Sequence, residues 1–585
     1  MDQKRLFIAI AISIAILLGF QLLLPKRPVP SPEQVAARTV EATPRPTGDP
    51  AYPGTEPAPS PPPRDVPRVP IAAQRVQGSI SLLGARLDSV VLRDYHEEVD
   101  PASPLVHVID APGTPEPNYV QFGWTSDTPG VKLPGNDTVW TASGPQLTST
   151  APLTLTWDNG AGLVFAIKLA VDDNYMFDVA QSVRNTTGTA VAVHPWSVIR
   201  RDYQPVTAGY YILHEGLIGV LGDRLQEYTY AKTKTKSEGA KRDGVAYEAS
   251  GDGGWAGITD KYWLTALIPD QATKASVSYR HATVAGKDRY QVDFIATDAQ
   301  AVAPGAEAVY PSRVFAGAKE VHLLDRYESQ DHIPSFDKAV DFGWFYFLTK
   351  PIFYALDWLN AVLGNFGLAI LVFTVFAKAL FFPLANKSYK SMSKMKLLGP
   401  KMTALRERLK DEPAKLQTEM MQLYKSEKVN PASGCLPMLV QIPVFFSLYK
   451  VIFVTIEMRH APFFGWIHDL SAVDPTNVFN LFGLIPFDPT TISPFLHLPA
   501  WAVIMGITMF LQQRLNPPPP DPVQAKLFQF MPIIFTFMLA RFPAGLVIYW
   551  SWNNTLTILQ QWLIMRRTRL EPTRTLTTRS AKSGS

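Results

Sequence analysis

One cysteine, Cys435, stands in 585 residues, so no intrachain disulfide can form. The chain has no HExxH, no glycine-rich phosphate loop and no aspartate pair inside a hydrophobic run. Zinc-peptidase, nucleotide-driven and intramembrane aspartyl chemistries are therefore left without a signature. His460 and the pair His468-Asp469 lie in a loop with no further ligand at a metal-binding spacing. Charge is sparse too: 18% of residues are charged and the net charge is +4, too little for a nucleic-acid binder. The reading is of a non-enzymatic protein for which nothing requires a metal, nucleotide or other cofactor.

What the sequence has is apolar length, in a chain long enough for two or more structural units. Leu6–Leu24 follows Lys4 and Arg5 and spans roughly 28 Å at ~1.5 Å per residue. It ends in Leu22-Leu23-Leu24-Pro25 without a small-residue cleavage site, so residues 1–24 are expected to be an uncleaved anchor rather than a removed signal peptide. The proline-dense stretch 25–70 predicts a semi-stiff tether. From 71 to 332 short alternating runs take over. Leu153–Trp157, Asp158-Asn159-Gly160 and Leu163–Val171 read as strand, turn and strand, and Met176–Val183 with Val191–Val193 continue the pattern. An all-β antiparallel sandwich is predicted, with the polar, lysine-rich segment 224–250 as an exposed loop.

Helical periodicity begins at Phe336. Residues 336–363 carry Trp344, Phe345, Phe347 and Trp358 but also Lys350, Pro351 and Asp357, which predicts an amphipathic helix lying at a membrane surface. Five stronger apolar segments follow near 366–384, 436–455, 499–514, 528–541 and 546–563. Added to the anchor they make six spans, the last five forming a core over 364–565. The fold class is thus an α-helical polytopic membrane protein with an outer β-sandwich. Basic residues crowd the loop from Lys387 to Lys428 and the tail 566–585, whereas Arg459 is the only Lys or Arg in 456–498. By the positive-inside rule the basic loop, the tail and both termini are cytoplasmic and residues 25–365 lie outside, although Lys26 and Arg27 argue the other way.

Lys378 is the most costly residue in these segments. It lies about 18 Å along the second span, where a bare ammonium costs at least ~2.5–3.5 kcal/mol. Thr374 shares its helix face, four residues earlier. Snorkelling to the cytoplasmic surface is the alternative to a functional role, and Lys450 suits snorkelling better. In the last span Tyr549, Asn553, Thr557 and Gln560 or Gln561 recur every three or four residues, beside Trp550. Such residues are usually interhelical hydrogen-bonding groups. With Gln441, Gln512 and Gln513 they gather polarity in the inner half of the bundle, as a hydrated cavity open to the cytoplasm requires. The basic loop adds a cytoplasmic hairpin over 386–430. Met395, Leu398, Met402, Leu405 and Leu409 form one seam, Asp411-Glu412-Pro413 the turn, and Leu416, Met420 and Leu423 the facing stripe. Its methionines suit varied apolar partners as well as plain packing.

These residues carry a resemblance. Leu363-Gly-Asn-Phe-Gly367, Tyr424-Lys-Ser-Glu-Lys-Val-Asn-Pro431, Gly434-Cys-Leu-Pro437, Ala461-Pro-Phe463, Trp466-Ile-His-Asp-Leu-Ser471 and Phe542-Pro-Ala-Gly-Leu546 make the stretch from Asp341 to Arg567 closely similar to the YidC/Oxa/Alb membrane-protein insertases. The outer domain resembles its counterpart in Gram-negative members more loosely, at Gly254-Trp255 and Lys261-Tyr262. The resemblance implies a bacterial inner-membrane location and an outer β-supersandwich. It also implies a groove open to cytoplasm and lipid that receives nascent inner-membrane proteins. As partners it implies the Sec translocon, the ribosome, the signal-recognition targeting machinery and membrane lipids. Familiar members carry arginine at the groove position where this sequence has Lys378; an arginine cannot give up its proton and a lysine can. A small-molecule transporter with an intramembrane cationic site is the main rival, but the spans show no paired repeats. A receptor would need an output domain where this sequence has a short basic tail.

Overall fold

The computed structural model describes residues 67–207, 213–240, 244–409, 412–427, 436–493, 496–516 and 522–570. The anchor 1–24, the tether up to residue 66, Gly434-Cys435 and the tail beyond 570 lie outside the described residues.

Residues 68–318 fold into two antiparallel sheets of ten and nine strands. The first runs from Arg68–Ala72 through Val76–Ser81, Arg86–His96 and Asn118–Ser126 to Val191–Arg201, Lys287–Ala296, Lys274–Val284 and Val245–Asp252. At the centre of the second, Trp263–Pro269, Glu307–Ala318, Met176–Asn185 and Leu163–Val171 lie side by side. The hairpin expected at Asp158-Asn159-Gly160 forms, with Leu155 opposite Ile167. Asp158 Oδ1 accepts the Gly160 N–H at 2.8 Å, and Gly160 takes the φ of +70° that the tight turn requires. Along Leu163–Val171 the alternate residues Leu163, Phe165, Ile167, Leu169 and Val171 are buried. They pack in a core that also holds Trp124, Phe177, Trp255, Tyr279, Phe294 and Phe315.

The loop expected at 224–250 is instead strand, helix and strand: Arg224–Thr229, α1 (Tyr230–Glu238) and Val245–Asp252. Thr229 caps α1 by accepting the Lys232 N–H at 3.2 Å, and Tyr230, Thr233 and Ser237 face inward at helical spacing. Tyrosines anchor this polar-looking segment. Tyr228 and Tyr247 pack on Tyr279, and Tyr230 on Tyr290, with ring centroids 4.7–5.7 Å apart. The Tyr230 hydroxyl accepts from Arg201, whose guanidinium also grips Asp260 at 2.7 and 2.8 Å, tying α1 and both sheets together. Asp260→Ala strands that buried guanidinium. Thermal unfolding of the full chain should register a loss of about 3–5 kcal/mol, and a loss under 1 kcal/mol would refute the assignment.

Beyond the sheets come α2 (Val321–Gln330), a 3₁₀ turn at Phe336–Ala339 and α3 (Tyr346–Leu363). The helix expected over 336–363 thus starts at Tyr346, after a turn at Gly343 with φ +73°. It buries Ile352, Phe353, Leu356 and Leu359 and exposes Phe347, Trp358 and Val362. Lys350 bridges Asp325 of α2 and Asp337 of the turn.

The core continues as α4 (Phe366–Leu380), α5 (Phe382–Leu397), α6 (Gly399–Arg408), α7 (Pro413–Ser426), α8 (Leu436–Val454), α9 (Ala500–Leu515), α10 (Pro522–Leu539) and α11 (Ala544–Leu570). Among the described residues no single helix is long and apolar enough to cross a membrane by itself. The segment expected to run to residue 384 bends by 67° where α4 meets α5, and only that bent pair passes the test together. Pro383 explains the corner, since its ring lacks an N–H and clashes with the preceding turn. The six-span count therefore rests on the sequence. In the hairpin expected over 386–430, the seam expected on one helix is likewise broken at Leu398 by Gly399-Pro400, and α5 and α6 share it. Leu398, Met402 and Tyr424 are buried together, with Met395, Met420 and Leu423 against them, while Leu405 is half-buried. Lys401–Glu427 (2.7 Å) and Arg408–Glu419 close the pair.

The sandwich is joined to the bundle at the end of α8. Arg459 donates to the carbonyls of His96 and Glu97 at 2.7 and 2.9 Å, and the Tyr262 hydroxyl to Ser471 at 3.1 Å. Lys450 does not snorkel freely: it pairs with Asp341 at 2.9 Å. Glu457 Oε1 accepts the Val321 N–H at the start of α2 (2.9 Å), and its Oε2 is sealed from solvent without a donor. Burial pushes the Glu457 carboxyl up to about 7, with Glu320 and Asp357 adding to the rise and the Val321 N–H opposing it. A raised carboxyl pKa stabilises the junction fully below the ordinary 4.5, and that contribution is lost as pH climbs through about 7. The full chain should melt later at roughly pH 5 than at roughly pH 8 by ~1–3 kcal/mol, and Glu457→Gln should flatten this part of the profile.

Candidate functional site

Lys378 lies in the last turn of α4, three residues before the bend, and Thr374 one turn earlier. The Lys378 ammonium donates to Thr557 Oγ1 on α11 at 2.9 Å, and the Thr557 hydroxyl donates back to the Asn553 carbonyl at 2.7 Å. Across the same space Gln441 of α8 donates to the Tyr549 hydroxyl at 2.5 Å. The expected stripe thus converges with Lys378, and Lys378, Thr374, Gln441, Tyr549 and Asn553 line one cavity. Phe373, Phe381, Val444 and Leu448 wall it. Thr374 is buried, with its hydroxyl donated to the Ile370 carbonyl at 2.6 Å. The cavity's volume is about 10 Å³, close to the minimum for one water.

Two features leave this site polar and unfinished. An ammonium has three N–H donors, and among the described residues Lys378 has no carboxylate within ion-pair reach. Asn553 Oδ1 is sealed from solvent with no donor. Buried polar groups normally find partners, so the cavity offers donors and an acceptor to a polar visitor.

Trp550 and Gln512 fall elsewhere. Trp550 sits edge-on to Phe445 at 4.7 Å and near Phe535 at 6.0 Å, away from the cavity. Gln512 is half-buried on α9 and is not a lining residue. Sequence reading missed two attachments of α11, Trp552 Nε1 to the Leu371 carbonyl (3.1 Å) and Asn554 to Thr508 (3.3 Å), while Gln561, named with the stripe, donates away from the cavity to Asn516 (3.0 Å). Trp552 and Asn554 each lie about 100° round the helix from Asn553, so the same polar composition serves other helix faces.

A helical bundle closing on a lone lysine, topped by a β-sandwich, corresponds to two known protein families in tandem. The family described as 60Kd inner membrane protein matches residues 358–571, and the YidC periplasmic domain matches residues 68–355. Relatives named membrane protein insertase YidC include one from Granulibacter bethesdensis, 62% identical over 97% of this chain and 99% of that protein. Another, from Acidiphilium cryptum, is 56% identical over 86% of this chain and 85% of its own. A third, from a Methylobacterium strain, is 50% identical over 97% and 95%. The chain belongs to the YidC family of membrane protein insertases, with the β-sandwich as its periplasmic domain.

The motif residues hold the outer end of the site in place. Gly364 ends α3 with φ +67°, and Asn365 caps α4 by accepting the Leu368 N–H at 3.0 Å. A Cβ on Gly367 would lie 2.0 Å from the Phe463 ring, and Asn365 also donates to the Pro462 carbonyl at 3.2 Å. The Gly545 and Ala544 N–H groups donate to the carbonyls of Leu470 and Ala472, joining the start of α11 to the same loop. Gly367→Ala should destabilise the chain by about 1–3 kcal/mol through overpacking. In a Phe463→Ala background most of that loss should vanish; additive losses in thermal melts would disprove the contact.

Proposed function

We propose that the Lys378 cavity is the polar end of an insertion path. The chain is a membrane protein insertase of the inner membrane, and its substrates are nascent membrane proteins. In our reading six spans carry it, with both termini cytoplasmic and residues 25–365 periplasmic. The small cavity widens on the cytoplasmic side into a hydrated groove when substrate arrives. The observation that carries this reading is the Lys378 ammonium, held by one hydroxyl in a cavity also lined by Asn553, whose Oδ1 is unpartnered among the described residues. Acidic and backbone carbonyl groups of a translocating segment take the remaining donors of Lys378, and its N–H groups take Asn553 Oδ1. The hydrophobic part of the substrate then leaves sideways into lipid, driven by roughly 25 cal/mol for each Å² of apolar surface removed from water.

The exposed face of α3, with Trp358 and Val362, rests on the periplasmic membrane surface in this reading. The α6–α7 hairpin, carrying Met402, Met420 and Leu423, receives substrate from the ribosome and signal-recognition machinery. The Sec translocon is a partner for larger substrates, and small single-span proteins are inserted by this chain alone.

Depletion with complementation tests the proposal. Insertion of a small single-span inner-membrane reporter, followed by protease protection, should stall without the protein. Lys378→Met should restore it roughly tenfold less well than the wild type, as expected for losing a charge-assisted hydrogen bond of about 1.5–3 kcal/mol. Lys378→Arg should restore it nearly in full. Equal rescue by Lys378→Met at equal protein levels would sink the groove role, and normal insertion under full depletion would sink the function.

A further inference from the structure

The loop between α8 and α9 carries an apolar tip on a polar base. At the base, Asn477 donates to the Leu496 carbonyl at 2.8 Å and the Val478 N–H to the Leu498 carbonyl at 2.9 Å. The first turn of α9 is clamped to it, the Ala500 N–H on Thr476 Oγ1 (2.9 Å) and the Trp501 N–H on Asp474 Oδ2 (3.1 Å). The tip is different in kind. Phe479, Leu481, Phe482, Leu484, Phe487 and Ile492 are between 46% and 83% exposed, and from Thr476 to Ser493 the one charged residue is Asp488. Asp488 is exposed and makes a local turn with Thr490, accepting its N–H at 2.9 Å and its hydroxyl at 2.7 Å.

Leu481 and Phe482 are both left-handed, with φ +52° and +59°. Two consecutive bulky residues in that region crowd Cβ against the following carbonyl oxygen, and the conformation leaves both side chains about half exposed. A tip so apolar and so nearly uncharged is unsuited to water.

We infer that this tip is inserted into the outer leaflet of the bilayer, at the boundary between phospholipid headgroups and acyl chains. Three observations favour lipid as the occupant. The loop rises from the first turn of α9, whose own exposed face, Ile504, Ile507 and Leu511, repeats at helical spacing. Asp474 also accepts from the indole of Trp466 at 3.1 Å. The half-exposed Trp466 thus stands at the loop's base, where interfacial tryptophans collect. Finally, one carboxylate, Asp488, among the eighteen residues from Thr476 to Ser493 gives a protein partner little charge to pair. The loop is a second periplasmic anchor, separate from α3, and it fixes the outer end of α9 in depth. The inference rests on the periplasmic placement of residues 456–498 in the proposed topology.

Single cysteines in a Cys435→Ser background, labelled with a nitrobenzoxadiazole dye, test it in nanodiscs of phosphatidylethanolamine and phosphatidylglycerol. Dyes at Leu484→Cys and Ile492→Cys should be quenched by lipids spin-labelled near the headgroup. Iodide quenching there should be several-fold weaker than at Gln146→Cys on the sandwich surface. Equal iodide quenching at all three sites would overturn the inference. Protection in native membrane vesicles but not in nanodiscs would overturn it in favour of a protein partner. Separately, a membrane-impermeant maleimide should label Gln146→Cys in spheroplasts. Labelling only in inverted vesicles would refute the topology, whatever the lipid quenching reports.

Discussion

The hydrogen bond from Lys378 to Thr557 is the constraint around which the bundle is arranged. Hydrocarbon offers an ammonium no acceptor, so the protein must bring one, and on α11 that acceptor is the Thr557 hydroxyl. That choice fixes the rotation of α11, and the other polar groups agree with it. Trp552 reaches back to α4, Asn554 and Gln561 reach α9, and Tyr549 takes Gln441 of α8. Apolar packing between lipid-bathed helices carries little directional information. A handful of hydrogen bonds therefore sets the register of the whole core.

At its periplasmic end the bundle is held differently. Glycines allow close approach, as at Gly367 under Phe463 and Gly545 beneath Leu470, and backbone hydrogen bonds tie the loop after α8 to the start of α11. The sandwich docks on the same loop through Arg459 and Tyr262. The sequence segments shared with the family mostly serve this scaffold rather than the cavity. Lys378 and its partners lie outside them.

Much of this was legible in the residues, for identifiable reasons. Alternation over Leu163–Val171 and the Asp-Asn-Gly turn specify a hairpin through local rules alone, and it formed. The polar stripe of α11 and the depth of Lys378 follow from helical period and rise, and the two do meet. Segment 224–250 was misread because tyrosines, not aliphatic residues, make its inward face. Trp550, adjacent to Tyr549 in sequence, points about 100° away on the helix, which listing it with the stripe ignored. The partner of Lys450, Asp341, is 109 residues distant, and no local pattern connects them. Pro383 and Gly399-Pro400 did signal the two breaks, but strong apolar and heptad periodicity masked them.

The bend between α4 and α5 is also a lever. Lys378 stands three residues from the corner, whereas the tip of the hairpin lies two helices beyond it. Rotation about a corner moves near points little and distant points far. Any change in that corner's angle would therefore displace the α6–α7 hairpin far more than the ammonium held against Thr557, although both belong to one continuous stretch of chain.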